Sequence, residues 1–468
     1  MKKTSKFISF FLAALFILTA CQSSQTEIAP EYISDVNSSD LDGLEIEWGF
    51  SMSRYAEDTD NVFGFIPGTA FADQVLEHQK KVESDLNCVI TVDNNSNSSV
   101  ITGKLNAELA TGGHLYDLIS ADSSVLASLV RGNYLVGLSG YLDVQNTEKW
   151  GTPNQLQNML WKDDLYGVLP NAWPYLLYTV PSGIIAVNEH LVSRIGAADP
   201  RDYVENKEWT WDKFEETLAA CTYEDAGRTI YSINFHADYF GINMFLSNGV
   251  NFTAVEDGKV ICGIYTDAGR AALERGQRIL NETCADYIYP DLTSNTSDFF
   301  SNEDCVMYLT ATGTLFSTAG SLLYKMDNLG VLPFPQGPNA IPGKYHSYYQ
   351  QIPYSTCIPI TASDVEGTAK VLNAMFEPFE GYETKEDMLE YMTEQIFFDK
   401  RDSEVVFNIV SGAQYNFFWE GGRDLPANAV KSTESISQLF ESNEDKYNTL
   451  VEDYLEPQYE GRIAVYGE

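Results

Sequence analysis

Short strand-like segments alternate with helix-like segments through the first third of the chain. Leu44-Glu45-Ile46-Glu47-Trp48 alternates apolar and polar residues, as a half-buried strand does. Apolar residues then recur at helical spacing between Phe71 and Leu86, and a second apolar run follows at 89–92. This alternation predicts an α/β fold built on a largely parallel sheet.

The same alternation continues further along the chain. Residues 116–120 form a short apolar run before a predicted helix over 122–130, and 183–187 again has the pattern of a strand. Thr210 is predicted to cap a helix that starts at Trp211. Ser363-Asp364-Val365-Glu366 has the spacing of a capping box in which Ser363 is the N-cap.

The N-terminus has the pattern of an export signal. Basic residues in Met1–Lys6 precede an apolar run from Phe7 to Leu18, which at about a dozen residues is shorter than the ~20 that a membrane-spanning helix needs. Leu18-Thr19-Ala20-Cys21 resembles the lipobox of bacterial lipoproteins, which implies a signal peptide over 1–20 and a diacylglyceryl group on Cys21. Two acyl chains would hold the protein on the extracytoplasmic face of the cell membrane. The polar stretch that follows predicts a flexible linker over 21–43.

The charge balance argues against nucleic acid as a partner. With 29 basic and 67 acidic residues the formal net charge is −38, so phosphate backbones and anionic membrane surfaces would be repelled. A length of 468 residues with 44% apolar content predicts two or three structural units.

Six cysteines remain once Cys21 is assigned to the lipid. They form no CxxC pair, and the chain has only five histidines, so we predict no metal site. Six cysteines allow 15 disulfide pairings, and burial as single free thiols is an equally good alternative. They are Cys88, Cys221, Cys262, Cys284, Cys305 and Cys357.

Seven segments, taken in order, resemble the family 1 extracellular solute-binding proteins of carbohydrate ABC importers, a group that includes maltose-binding protein. The match to the helix start Trp209-Thr210-Trp211-Asp212-Lys213-Phe214 is close, whereas Val187 stands where the family usually has tyrosine. The remaining segments are Tyr116–Ile119, Gly132–Leu142, Asp164–Pro170, Ala186–Leu191, Leu329–Pro335 and Ile358–Phe376.

This resemblance implies a two-lobed fold of the class II periplasmic-binding-protein type, in which each lobe is a mixed sheet flanked by helices and ligand binds in the cleft between them. The expected lobes are 44–172 with about 335–395, and about 173–334 with 396–468. The implied protein is a monomer without a cofactor that captures a sugar or oligosaccharide and delivers it to the permease subunits of the importer.

Candidate ligand-binding residues come from two arguments. A sugar needs aromatic faces and hydrogen-bonding side chains, and ligands of open α/β sheets lie beyond the carboxyl ends of strands. Strand position predicts Trp48, Ser51 and Arg54 after the first strand, and Asp122 and Ser123 after the strand at Tyr116. The resemblance adds residues in the interlobe stretch and at two helix starts, namely Trp173, Tyr175, Tyr178, Asp238, Tyr239, Thr314 and Phe316.

Alternative functions stay open at this point. The chain has no HExxH, GxSxG or P-loop motif, but 67 acidic residues leave room for the carboxylate pair of a glycan hydrolase. Other polar solutes, such as peptides or polyamines, would fit the same fold, as would a surface lipoprotein that only scaffolds. The aromatic cluster Tyr415–Trp419 is predicted to pack between helices, although it could also reach the cleft.

Overall fold

A computed structural model gives the fold of the chain. It describes residues 40–468 except 52–62, 64, 66–69, 95–96, 175–180, 294–296, 317–320, 350–352 and 423. The predicted signal peptide and Cys21 lie outside the described residues.

The strands are short, and most occur within 44–188 and 223–357. They are β1 (Leu44–Phe50), β2 (Cys88–Asp93), β3 (Leu118–Asp122), β4 (Leu160–Trp161), β5 (Asp164–Leu165), β6 (Pro181–Asn188), β7 (Tyr223–Asp225), β8 (Arg228–Asn234), β9 (Thr253–Glu256), β10 (Lys259–Cys262), β11 (Cys305–Ala311), β12 (Leu329–Pro333), β13 (Ser347–Tyr349), β14 (Tyr354–Cys357) and β15 (Ala413–Gln414).

Helices separate most of these strands and make up most of the chain after Cys357. They are α1 (Ala70–Leu86), α2 (Ser98–Thr111), α3 (Ser123–Arg131), α4 (Thr147–Trp150), α5 (Glu189–Ile195), α6 (Pro200–Glu205), α7 (Trp211–Cys221), α8 (Ala237–Leu246), α9 (Asp267–Arg278), α10 (Asp298–Ser301), α11 (Thr312–Phe316), α12 (Leu322–Lys325), α13 (Val365–Met375), α14 (Lys385–Met392), α15 (Lys400–Ser411), α16 (Asp424–Lys431), α17 (Ile436–Leu450) and α18 (Glu456–Tyr466).

Local sequence signals located the helix starts well, with one error. Thr210 caps α7 as predicted, since its hydroxyl accepts from the Lys213 N–H. The capping box at 363–366 was wrong, because Asp364 is the N-cap of α13. The hydroxyl of Ser363 instead donates to the buried carboxylate of Asp117 at 2.8 Å, which removes it from the helix end.

The first sheet has the strand order β14-β3-β1-β2. β1 pairs in parallel with both β2 and β3, whereas β14 runs antiparallel to β3. The sheet therefore combines strands from near the N-terminus with one that lies more than 200 residues later in the chain.

The second sheet has the order β15-β13-β6-β11-β8-β7, and β12 also pairs with β6. β6 is hydrogen-bonded to β11 on one side and to β12 and β13 on the other. All eight residues of β6 are buried. Ile184 and Ala186 belong to one hydrophobic cluster, and Ile185 and Val187 belong to the other. This is the period of two that a strand covered on both faces must have.

Two contacts differ from the lobe division expected from sequence. Ser347–Tyr349, expected in the first lobe, forms β13 and pairs with β6 in the second sheet. α18, expected in the second lobe, packs on the β4–β5 hairpin. The end of the expected linker is also ordered, because the Leu41 and Gly43 N–H groups donate to Leu86 and Asn87.

All six cysteines of the described residues are buried free thiols. Burial raises the pKa of Cys88 and Cys221 to about 11 and that of Cys262 to about 12. Since the thiolate is the reactive form, buried thiols with a raised pKa react slowly with alkylating agents.

We expect iodoacetamide at pH 8 to leave these six thiols unmodified in the folded protein and to alkylate all of them in denaturant without reductant, as mapped by peptide mass spectrometry. A control with reductant should give the same modification in denaturant. Cysteines that react only after reduction would instead be disulfide-bonded.

A buried arginine holds α15 against α6 and β12. Arg201 donates to Asp199 at 2.7 Å, lies 3.4 Å from Asp402, and also pairs with Glu189 and Asp399. Asp402 accepts from the Val331 N–H at 2.9 Å. Burial raises the pKa of Asp402 to about 6, and the attraction of Arg201, which is shared among these carboxylates, only partly offsets that effect.

An acid with a raised pKa stabilises the fold fully below its unfolded pKa and loses that contribution as the pH rises through its folded pKa. Between about pH 4 and pH 6, wild type should therefore lose stability relative to Asp402→Asn, measured as the difference in urea unfolding free energy. Glu404→Gln reports the same chemical change at an exposed position of α15. A constant difference for Asp402→Asn across this range would mean that Asp402 stays ionised in the folded protein.

Candidate functional site

Polar side chains collect at the carboxyl edge of the first sheet. Ser51 follows β1, and its buried hydroxyl lies 3.2 Å from that of Ser98. The N–H of Asp122, at the end of β3, donates to the Ser98 hydroxyl at 3.0 Å. Because β1 and β3 are parallel, both strands end at this edge, and Ser98 at the start of α2 joins them.

Asp122 and Ser123 end β3 and begin α3. Asp122 caps this helix through Oδ1, which accepts from the N–H and the hydroxyl of Ser124 at 3.0 and 2.7 Å. The Ser123 hydroxyl is fully buried and has no hydrogen-bond partner among the described residues. Buried hydroxyls are normally hydrogen-bonded, so this edge retains unused bonding capacity.

A second set of buried polar side chains lies at one edge of the second sheet. β8 and β11 are parallel; β8 ends here with Asn234, and Thr310 is the last residue but one of β11. β6 runs against β11 and starts here, so Ser182 lies opposite Ala311. The Asn243 amide, from α8, donates to the Tyr239 carbonyl at 2.8 Å and lies 3.4 Å from the Ser182 hydroxyl. These polar side chains are all fully buried.

The backbone at Gly183 allows Asn243 to reach this edge. Gly183 has a φ of +95°, and a Cβ atom there would lie 2.7 Å from the Asn243 Oδ1. Asn243 Oδ1 has no hydrogen-bond partner within the described part of the chain. The second edge thus also presents an unused hydrogen-bonding atom.

The chain brings these two edges together. Tyr349 ends β13 beside Pro181 in the second sheet, and Pro353, whose carbonyl accepts from the Ser123 N–H, precedes β14 in the first. Four residue steps separate Tyr349 from Pro353, so their Cα atoms are at most about 14 Å apart. The Gln155 amide also donates to the Tyr349 hydroxyl at 3.2 Å. The two polar edges therefore border the region around Tyr349 and Pro353.

The C-terminal segment contributes a buried tyrosine–glutamate pair to the same region. Tyr415 is fully buried, its N–H donates to the Asn154 carbonyl, and its hydroxyl donates to Glu420 at 3.0 Å. Burial raises the pKa of Glu420, and the Tyr415 hydroxyl and Arg131, 3.9 Å away, act against that rise. Burial, and to a smaller extent the negative charge of Asp122 at the first edge, raises the pKa of Tyr415.

Trp48 and Trp173, predicted as ligand-binding residues, lie in the first hydrophobic cluster. The Trp48 indole N–H donates to the Ser120 hydroxyl at 2.9 Å, and its ring packs on Phe63. The Trp173 N–H donates to the Met375 carbonyl at 2.9 Å, and its ring centroid lies 5.0 Å from that of Phe376. Both are about 1% exposed or less, so packing accounts for them in this conformation.

The other predicted residues fall into two groups. Asp238 and Tyr239 lie in the first turn of α8, just beyond the end of β8, and Thr314 lies in α11, just beyond the end of β11; all three are half-buried at the edge of the second sheet. Arg54, Tyr175, Tyr178 and the side chain of Phe316 lie outside the described residues.

Sequence analysis did not single out Ser182, Asn243, Thr310 or Tyr349. Thr310 carried a usable signal, because it is a polar residue at the end of a buried apolar run. Asn243 carried none, since every other residue from Phe240 to Leu246 in that helix is apolar and buried. Its burial beside Ser182 is visible only in the folded chain.

Two further features of the described residues bear on the site. They contain no group of three or more His, Cys, Asp or Glu side chains arranged to hold a metal ion. Every helix among them is too short or too polar to cross a membrane.

Comparison with known proteins identifies the fold. No family model and no curated protein sequence matches the chain. Solved structures do match. One is a sugar transporter of Rhizobium etli in an open conformation (TM-score 0.62, 14% identity); the alignment covers 87% of this chain and 99% of the transporter chain. The cyclic alpha-maltosyl-1,6-maltose binding protein of Arthrobacter globiformis (TM-score 0.62, 12% identity) covers 88% and 100%. The sugar-binding protein MalE of Xanthomonas citri (TM-score 0.59, 14% identity) covers 87% and 98%.

These matches show the two-lobed α/β fold of the sugar-binding proteins just named, as the sequence predicted. The likeness is to maltose-binding-protein-like members of that class, which confirms at the level of the fold the resemblance drawn from the seven segments.

The packing of Trp173 can be tested directly. Trp173→Ala should lower the free energy of unfolding by about 3–5 kcal/mol, because it leaves a cavity among Phe63, Phe376 and Phe379. Urea unfolding followed by circular dichroism measures the change. Tyr324→Ala, at a side chain that is 73% exposed, should change stability by less than about 0.5 kcal/mol. Wild-type stability in Trp173→Ala would show that Trp173 is not a core residue.

Proposed function

We propose that this protein is the extracytoplasmic substrate-binding lipoprotein of an ABC importer, which binds a sugar or oligosaccharide between its two lobes and delivers it to the permease. One observation carries the proposal: two edges of buried polar side chains, one from each sheet, border the region around Tyr349 and Pro353. The fold is that of proteins named for binding maltose-like sugars, which supports a carbohydrate as the ligand. The lipobox-like segment supports attachment to the membrane through Cys21.

The proposed ligand contacts are hydrogen bonds from both edges. Asp122 uses Oδ1 to cap α3, which leaves its second carboxylate oxygen to accept from a sugar hydroxyl. Ser123 and Thr310 add hydroxyls, and Asn243 adds an amide oxygen. Tyr239, half-buried beside Asn243, supplies an aromatic face. Asp238 and Thr314 remain proposed contacts at the rim of the second edge.

Binding to both edges would couple ligand capture to lobe closure. A ligand that contacts residues of both sheets binds the closed arrangement more tightly than the open one, and this difference in affinity shifts the equilibrium. We assign the lobes as predicted, 44–172 with about 335–395 and about 173–334 with 396–468, but we place Ser347–Tyr349 with the second sheet and α18 against the first lobe.

A thermal-shift screen tests the function. We expect malto-oligosaccharides or other sugars to raise the melting temperature, since ligand at 100 times its Kd stabilises the fold by about 2.7 kcal/mol. Amino acids, short peptides and polyamines serve as comparison solutes. A response only to one of those would retain a solute-binding protein and reject the sugar. If no solute in the panel changed the melting temperature and the protein released product from a glycan, solute binding would be rejected as the function.

Asp122→Asn then tests the site, because asparagine still caps α3 but lacks the charge. We expect the Kd for the sugar found in the screen to rise about ten- to a hundredfold, measured by titration calorimetry. Glu45→Gln is the matched control, since it makes the same change at an exposed position near the amino end of β1. An unchanged Kd in Asp122→Asn would remove this carboxylate from the site.

A further inference from the structure

One nearly continuous helix forms the end of the chain. α17 runs into a π-helical turn, Val451–Leu455, which runs directly into α18. The residues at both junctions, Leu450 and Glu456, keep right-handed helical backbone angles. From Ile436 to Tyr466 the helix is about 45 Å long at 1.5 Å per residue. It is long enough to contact two separate bodies.

The first half of this helix belongs to the second hydrophobic cluster. Phe440, Tyr447 and Leu450 are buried there. The Phe440 ring centroid lies 4.5 Å from that of Tyr265, and the Tyr447 hydroxyl donates to the Gly422 carbonyl at 2.5 Å. α17 therefore packs on the body that contains the second sheet.

The second half of the helix, α18, packs on segments that follow β3 in the chain. The Lys162 N–H donates to the Pro457 carbonyl at 2.7 Å, and Arg462 donates to the Asn154 side chain at 2.7 Å. Gly461 lies so close to the β4–β5 hairpin that a Cβ atom added to it would be 2.6 Å from the backbone nitrogen of Trp161. α18 is thus docked closely on this hairpin through both backbone and side-chain contacts.

The π turn is held at the junction by a residue of α3. The Arg131 guanidinium lies over the Tyr454 ring at 5.0 Å and 3.9 Å from Glu420. Arg131 ends α3, the helix that Asp122 caps at its other end. The junction is therefore linked through one short helix to the edge of the first sheet.

We propose that the helix Ile436–Tyr466 is a strap between the two lobes, which flexes at its π turn and sets their resting angle. A helix docked on two bodies must bend or detach when the bodies rotate. The π turn is where it can bend, because the regular ladder of α-helical hydrogen bonds is interrupted there. The inference rests on the interlobe motion of the proposed function, but its test needs no ligand.

Gly461→Leu in the full chain tests the strap, since the added side chain would collide with the backbone at Trp161. We expect amide hydrogen exchange to become at least about tenfold faster in 456–466 and at Leu160–Trp161, while 436–450 stays protected. Small-angle X-ray scattering should show a broader distribution of interatomic distances. Ala464→Leu, at an exposed position of α18, is the matched control and should change neither measurement.

Arg131→Met is the second variant. It removes the contact between the Arg131 guanidinium and the Tyr454 ring and leaves Gly461 unchanged. We expect faster exchange in 451–455 and the same broadening of the scattering distribution, with α18 still protected. Scattering identical to wild type in the folded variants would overturn the proposal, as would equal loss of protection in 436–450 and 456–466. Because neither measurement uses a solute, failure of the ligand screen and failure of the strap are separate results.

Discussion

The burial of both faces of β6 is the constraint on which the rest of the structure depends. A strand with hydrophobic side chains on both faces needs cover on both, and β6 meets the second hydrophobic cluster on one face and the first on the other. It also hydrogen-bonds along both of its edges, to β11 on one side and to β12 and β13 on the other. The two bodies of the protein are therefore joined through the strand whose first residues border the candidate site.

This arrangement explains why the candidate site consists of two edges. β6 begins where β8 and β11 end, so Ser182, Asn234 and Thr310 come to one edge. Tyr349 at this edge and Pro353 at the edge of the first sheet are only four positions apart in the chain. Hydrogen-bonding atoms buried without partners are costly, and a polar solute that contacts both edges would relieve that cost. Capture of a solute and the angle between the lobes would then depend on the same contacts.

Much of the fold could be predicted because its signals are local. The strand at 44–48, the helix between Phe71 and Leu86 and the cap at Thr210 all follow from the spacing of residues within one element. The error at Ser363 has a non-local cause, since Asp117, distant in sequence, takes its hydroxyl. The site was harder to predict. Trp48 and Trp173 follow the expected segments, but an aromatic ring suits a core and a binding site equally well, and only packing distinguishes them.

The sequence by itself determined the α/β class, the order of the segments that resemble solute-binding proteins, and the placement of Asp122 and Ser123 at the end of a strand. Each of these depends on residue type and short-range spacing. Only the tertiary structure decided that Asn243 faces Ser182, that Tyr349 pairs beside Pro181, and that α18 returns to the β4–β5 hairpin. These contacts join residues that are tens to hundreds of positions apart. No local pattern records them, because they arise from the packing of whole elements around two shared cores.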